Sequence, residues 1–298
     1  MKKKLSTILF AILFLAGLSL LLYPLIANEW NTYRQSQLLS TYEEVVAEKN
    51  AENPIDYTAE WEKAYAYNDA LQPYLLPDSF AIAAQEEEPS EEYMAALNLA
   101  GDGMMGYVEI PKIDVKIPVF HTTNEEVLQK AAGHLEGSSL PIGGTETHTV
   151  ISAHRGLPSA ALFTDLDRLK VGDHFLISVL DEILCYEVDL ISVVEPAETE
   201  LLSAVEGEDL ATLMTCTPYG VNSHRLLVRG HRIDYVEEVI QAVQDEKVPL
   251  AEKSIHTNYL LWVFVGLSVT AVFIVLMVVY DKYLRDKINN YLGKKNET

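Results

Sequence analysis

The chain has 298 residues and is acidic, with 44 Asp and Glu against 22 Lys and Arg, a formal net charge of -22 and a pI near 4.6. That balance excludes a nucleic-acid binder, which needs a basic footprint, and it suits a well-solvated surface. The two cysteines, Cys185 and Cys216, are too few for a disulfide framework, and the length admits one or two domains with a real core.

Lys2, Lys3 and Lys4 precede an uncharged apolar run from Leu5 to Ile26. It is long enough to span a bilayer. It is also longer than the apolar core of a signal peptide, and its one cleavage-like end, Leu25-Ile-Ala27, is weak, so it reads as an uncleaved anchor. From Glu29 to Lys49 the residues Trp30, Tyr33, Leu38, Tyr42, Val45 and Val46 recur at helical spacing. A second helix is expected from Pro54 to Leu71, capped by Asn53 with Pro54 in its first turn and ended by Gln72-Pro73. The two helices read as a stalk. Residues 73–92 carry Pro73, Pro77, Pro89 and five glutamates from Glu86 to Glu92, the composition of a mobile loop.

From Met104 the pattern turns to strands. They are expected at 106–110, 113–119, 147–152, 174–179, 183–194, 210–215 and 225–232, with short helical segments at Glu125–Ala131 and Leu162–Leu169. Pro111 and Pro118 suit edges or kinks. So many strands with small helical inserts point to a closed or nearly closed β-barrel. Cys185 lies in a buried-strand pattern and reads as a small core residue. Val236, Val239, Ile240 and Val243 continue as an amphipathic helix. A second apolar run, Asn258 to Tyr280, is followed by Lys282, Arg285, Lys287, Lys294 and Lys295. Both basic flanks lie outside the pair of spans, so both termini are expected in the cytoplasm and the acidic segment outside the cell.

Candidate chemistry concentrates in Thr212-Leu-Met-Thr-Cys216-Thr-Pro-Tyr-Gly-Val-Asn-Ser-His-Arg225-Leu-Leu-Val-Arg229. A cysteine acts as thiolate, and a strand end gives it access. It needs a base or imidazolium partner and a group to hold the developing oxyanion. His154 closes an apolar strand before Arg155-Gly-Leu-Pro and points into a loop-lined cleft. Both a catalytic role and a rim histidine stand open for it. Arg225 opens the strand antiparallel to the one that ends at Cys216; it offers several donors for an oxyanion, and a solvated strand-end arginine is the competing reading. His224 faces away from Arg225, His231 lies deeper in that strand, and His121, His134 and His148 flank turns. There is no phosphate loop with its lysine, no paired-cysteine zinc spacing and no His-Glu-x-x-His helix, so no cofactor or metal is expected.

The stretch from Thr212 to Arg229 resembles the Thr-Leu-x-Thr-Cys…Arg signature of sortases, the membrane-anchored cysteine transpeptidases of Gram-positive bacteria. Gly106-Tyr-Val-Glu-Ile-Pro-Lys-Ile, Gly133-His-Leu-Glu-Gly-Ser-Ser-Leu-Pro-Ile-Gly-Gly and His154-Arg-Gly-Leu-Pro-Ser-Ala are similar to class C sortases, the pilin polymerases. The resemblance covers residues 104–233. It implies a mainly β fold, an eight-stranded sortase barrel, with Cys216 as nucleophile, His154 as the catalytic histidine and Arg225 as the catalytic arginine. It also implies an N-terminal lid carrying an Asp-Pro-aromatic motif. The nearest match is Asp78-Ser79-Phe80, in which serine replaces the proline; Asp78 would pair with the arginine and Phe80 cover the thiol.

The expected organisation is a cytoplasmic stub and anchor helix at 1–28, a helical and lid segment at 29–103, the barrel at 104–233, an amphipathic linker helix at 234–257, a second span at 258–280 and a basic tail at 281–298. The expected activity is cleavage of a Leu-Pro-x-Thr-Gly-like sorting signal through a thioester on Cys216, with transfer to a lysine amine of the next pilin. Two alternatives stand beside it. One is a sortase that anchors surface proteins to a peptidoglycan precursor; the other is a non-catalytic, membrane-tethered barrel that binds surface proteins or scaffolds pilus assembly. The expected partners are pilins or surface proteins bearing such a signal, and the membrane through two spans.

Overall fold

The computed structural model of the chain describes residues 2–51, 57–71, 76–82, 88–236 and scattered positions from 239 to 283. Eight strands close into a barrel: β1 (Met104–Ile110), β2 (Val115–His121), β3 (Ala132–His134), β4 (Thr147–Ser152), β5 (His174–Val179), β6 (Glu182–Val194), β7 (Asp209–Thr217) and β8 (His224–Ile233). Around the barrel the order is β1-β2-β3-β4-β7-β8-β6-β5. The pairs β2–β3 and β4–β7 are parallel and the other six antiparallel. Closure leaves no edge in the ring, yet Pro118 sits in β2 opposite Tyr107, just before the pairing with β3 begins at Val119, where its missing N–H interrupts no β2–β3 pair.

Strand alternation assigns the two faces. Ile151 and Ala153, Ala211 and Leu213, and Leu226 and Val228 belong to the interior core. The intervening Val150, Met214 and Leu227 face outward. There they form a second apolar cluster with Leu76, Leu135 and Leu202, against which Phe80 and Ile82 pack. The outer face of β4, β7 and β8 is therefore a covered floor rather than a wet surface. The site is built on it.

Helix α1 runs from Lys2 to Ala51. One helix among the described residues, through Ile12–Val46, is long and apolar enough to cross a membrane. Further along α1, Gln35, Leu39 and Tyr42 turn inward at spacings of four and three, while Trp30 and Tyr33 stay exposed. The Tyr42 hydroxyl donates to the Met105 carbonyl at 3.0 Å and accepts from the Leu180 N–H at 2.8 Å. Gln35 donates to the Lys130 carbonyl at 2.7 Å.

The stalk expectation is corrected by α2 (Thr58–Ala70) and α4 (Glu91–Ala95). Ala64, Tyr93 and Leu97 are wholly buried members of the barrel's own core cluster. The Asn68 side chain clamps Leu140, accepting from its N–H at 2.8 Å and donating to its carbonyl at 3.5 Å. Between these helices lies the one-turn α3 (Ser79–Ile82). Asn53 and Pro54, the expected start of α2, lie outside the described residues.

Two other expectations change in detail. The segment from Leu162 to Leu169 holds only a 3-10 turn at Leu166–Arg168, because Leu162 has a positive φ of 42° that a helix cannot continue through. The helix expected to reach Ala131 is α5 (Glu125–Leu128), capped by Asn124, whose side chain accepts from the Val127 N–H. It stops because Ala132 enters β3, a strand too short to announce itself by alternation. Most of the linker helix and part of the second span lie outside the described residues. The described part of that span includes an apolar helical stretch, Val263–Val272, shorter than a bilayer crossing requires.

Candidate active site

The β7–β8 ladder places Cys216 directly opposite Arg225, and directly opposed residues present their side chains on one face. On the other side of β7, parallel β4 pairs Ser152 with Met214. The ladder continues past the end of β4, with Ala153 N–H donating to Met214 O at 3.1 Å and Thr215 Oγ1 donating to Ala153 O at 2.7 Å. Two residues beyond the Ser152–Met214 pair, this register brings His154 beside Cys216 on the outer face. Imidazole, thiol and guanidinium thus come from three neighbouring strands at one end of the barrel.

The loops behind them are tied together. Arg155 donates to Thr217 Oγ1 at 3.2 Å and pairs with Asp167. Gly156 has a φ of +77°, and a Cβ there would lie 2.8 Å from the Tyr219 ring. Only glycine serves this position, both for its backbone and for the close approach of Tyr219.

Residues 76–82 lie across the three side chains. Asp78 accepts from Arg225 twice, Nε to Oδ1 at 2.6 Å and Nη2 to Oδ2 at 2.7 Å. This is a bidentate, charge-assisted geometry, and both partners are over nine-tenths buried. Asp78 Oδ2 also accepts from the Ala81 N–H at 3.0 Å, which caps α3. The Phe80 ring centre lies 5.5 Å from the His154 ring and 5.0 Å from Arg225 Cζ, between the two. Ser79 is fully buried; its hydroxyl meets that of Ser152 at 2.8 Å, and its carbonyl accepts from Thr123 Oγ1 at 3.0 Å. Leu76 fills the apolar floor further from the thiol. The access expected of a strand-end cysteine is absent in this arrangement: Cys216 is 7% exposed, because the segment covers it.

Burial sets the charge state. It pushes the Cys216 thiol up; Arg225 opposes this and Asp78 reinforces it. It pushes the His154 imidazole down, against the pull of Glu125. Under this cover burial favours the uncharged form of both the thiol and the imidazole. Asp78 contributes by neutralising the cation that would otherwise favour a thiolate.

Among the described residues, three buried histidines, His121, His134 and His148, hold structure. His134 is fully buried, with a pKa lowered by desolvation to about 3. His148 is lowered by burial to about 4; it contacts the Ser203 carbonyl at 2.9 Å and Thr212 Oγ1 at 2.7 Å. That fastens the β6–β7 connection, which supplies Leu202, to the barrel floor. Both ring nitrogens of His121 lie 2.9 Å from backbone carbonyls, those of Gly103 and Ala96. His224 contacts Ser223 Oγ at 2.8 Å, and His231 sits deeper in β8, opposite Leu210.

This arrangement has known counterparts. The sortase domain family model matches residues 108–233. The crystal structure of a Streptococcus pneumoniae Sortase C is 46% identical, covering 67% of this chain and 97% of that one, with a TM-score of 0.59. The chain belongs to the sortase family. A pilus-related Sortase C of Group B Streptococcus is 42% identical over 65% of this sortase and 96% of its own chain, with a TM-score of 0.57. Sortase A of Bacillus anthracis is 26% identical over 151 residues, 51% of this sortase and 70% of the relative. Sortases are cysteine transpeptidases, so the chain is an enzyme of acyl transfer.

Some members of the site carried no spacing signal. Leu76 and Leu202 reach the floor from segments far apart in sequence. Ser79 and Ser152 meet across 73 positions, and Glu125 approaches His154 from α5, its Oε2 3.7 Å from Nε2.

Proposed function

We propose that this sortase cleaves a Leu-Pro-x-Thr-Gly-like sorting signal and joins the new carboxyl end to a lysine of a pilin subunit. The reading is carried by the pairing of Cys216 with Arg225 across β7 and β8, with the His154 register beside it. The 42–46% identity to Sortase C structures, one of them pilus-related, supports the pilin acceptor.

The covering segment must first leave, which frees Arg225 from Asp78. Cys216 gives its proton to His154, and sulfur attacks the threonine carbonyl carbon. Arg225 donates to the oxyanion, where a positioned donor contributes most. The Thr–Gly bond breaks, His154 returns the proton to the leaving glycine amine, and a thioester remains. A neutral lysine amine then attacks the thioester carbonyl and expels Cys216, leaving an isopeptide bond.

We further assign residues 1–28 to a stub and anchor, 104–233 to the catalytic barrel and 258–280 to a second span, with both termini in the cytoplasm and the barrel outside. The positive flanks support this orientation. The test of the mechanism is Cys216→Ala. It should lose cleavage of a sorting-signal peptide while keeping the fold, and retained cleavage overturns the reading. Supplying purified pilin and a lipid-linked peptidoglycan precursor together, and finding which is consumed, decides the acceptor.

A further inference from the structure

Across the barrel rim the order of groups is Glu125, His154, Cys216, Arg225. His154 continues β4, Cys216 is the last residue but one of β7 and Arg225 the second of β8. Glu125 opens α5 in the connection from β2 to β3, on the far side of His154 from the thiol. Its Oε2 is 3.7 Å from His154 Nε2, and its side chain is 58% exposed. Nε2 itself is buried and has no hydrogen-bond partner. Glu126, next in sequence, is engaged with Lys130, and Asp78 is spent on Arg225. Among the described residues, Glu125 is thus the carboxylate that faces solvent and the histidine together.

We infer that Glu125 binds the ammonium of the acceptor lysine and presents it to His154. The inference rests on the transpeptidase reading above and adds a specificity residue to its second half. A lysine reaches the enzyme as an ammonium, since its ordinary pKa is near 10.4, and an ammonium does not attack a thioester. After thioester formation His154 is neutral, having protonated the leaving glycine amine. An ammonium held at Glu125 stands next to that imidazole. It gives one proton to His154 and becomes a neutral amine, which forms the C–N bond. The tetrahedral adduct then expels sulfur, and the second proton lost from nitrogen restores the Cys216 thiol. The proton on His154 then passes to solvent, which resets the neutral imidazole for the next cycle and closes the balance.

The test separates lysine from a nucleophile that carries no charge. With a sorting-signal peptide as donor, Glu125→Gln is compared with the unaltered chain using a lysine-bearing peptide and, separately, hydroxylamine, which is neutral at pH 7. The variant keeps an oxygen to accept from Gln129, as Glu125 Oε1 does now. The lysine KM should rise roughly two- to fivefold, the size of an exposed ion pair, and Glu125→Lys should raise it further. Loss of the carboxylate also withdraws its pull on His154, but that acts on both nucleophiles alike, so the readout is the ratio of lysine product to hydroxamate, which should fall. If lysine and hydroxylamine transfer fall together, or neither changes, the inference is overturned. If the unaltered chain makes no hydroxamate at all, the transpeptidase reading fails along with it.

Discussion

Asp78 and Arg225, 147 positions apart, are joined by two hydrogen bonds of 2.6 and 2.7 Å in a setting where both are buried. The arginine that would stabilise an oxyanion is thus fully engaged by its own chain. The same contact brings Phe80 over His154 and leaves Cys216 covered. One ion pair therefore engages the guanidinium opposite Cys216 and anchors residues 76–82 beside the buried thiol.

Asp78→Asn should open the site. Hydrogen bonds to a charged group contribute about 1.5–3 kcal/mol, so weakening this pair should raise the open fraction about 10- to 100-fold. The rate of Cys216 alkylation by a neutral reagent, corrected for thiolate fraction because Asp78 also acts on the thiol, reads this, and Cys185, wholly buried in the barrel wall, serves as the internal control. An unchanged rate would mean that the apolar contacts of Leu76 and Phe80 hold the cover alone.

The covered state should also depend on pH. The His154 pKa is lowered by burial, so this group contributes stability above its ordinary value near 6.5, and that contribution is lost as pH falls through the lowered value. The Cys216 pKa is raised, so its contribution is present below the ordinary thiol value near 8.5 and is lost as pH rises through the raised one. Opening, measured as alkylation corrected for thiolate fraction, should be least between about pH 6.5 and 8.5. Glu125, Asp78, Cys216 and Arg225 surround the imidazole. His154→Gln should remove the rise between about pH 5 and 6.5, a range in which ordinary carboxylates stay ionised.

Much of the barrel was legible because its strands alternate strongly. β4 and β5 carry short runs of Val, Ile and Leu, and Arg225 is the second residue of β8, close to where the hairpin length placed it. β3 escaped because three residues carry no period. The Cys216–Arg225 relationship was legible because it is local: one hairpin sets it. His154 was a weaker inference, since its place depends on a parallel pairing between strands more than fifty residues apart. The contacts of Ser79, Leu76, Leu202 and Glu125 were not legible, since they come from tertiary packing of segments far apart in sequence, even where the segment itself, such as the helix opening at Glu125, was expected.

Ser79 offers a test of how the cover is latched. Its hydroxyl and that of Ser152 are both fully buried and 2.8 Å apart. Ser152→Ala leaves the Ser79 hydroxyl without this partner, at a cost of about 1–3 kcal/mol. It should speed Cys216 alkylation. Removing both hydroxyls takes away the orphan as well, so the Ser79→Ala, Ser152→Ala pair should be covered more firmly than Ser152→Ala alone. Additive effects would mean that the two hydroxyls act independently.

Tyr93 connects the α2–α4 layer to the barrel, and its removal should destabilise the fold without touching the rim. His134 Nε2–H donates to the Ser139 carbonyl at 2.8 Å, so in the neutral ring Nδ1 is the acceptor, and the Tyr93 hydroxyl donates to it at 2.9 Å. The same hydroxyl accepts from the Thr122 N–H at 3.0 Å. Tyr93→Phe therefore orphans a buried ring nitrogen and a backbone N–H at once. Each such group costs about 1–3 kcal/mol, and a domain of this size loses about 2–4 °C of Tm per kcal/mol. Calorimetry should show a Tm lower by roughly 4 °C or more. Alkylation of Cys216 well below the transition should stay at the unaltered rate, because Tyr93 touches neither Asp78 nor Phe80. A large rise in that rate would instead tie the α4 layer to the closing of the site.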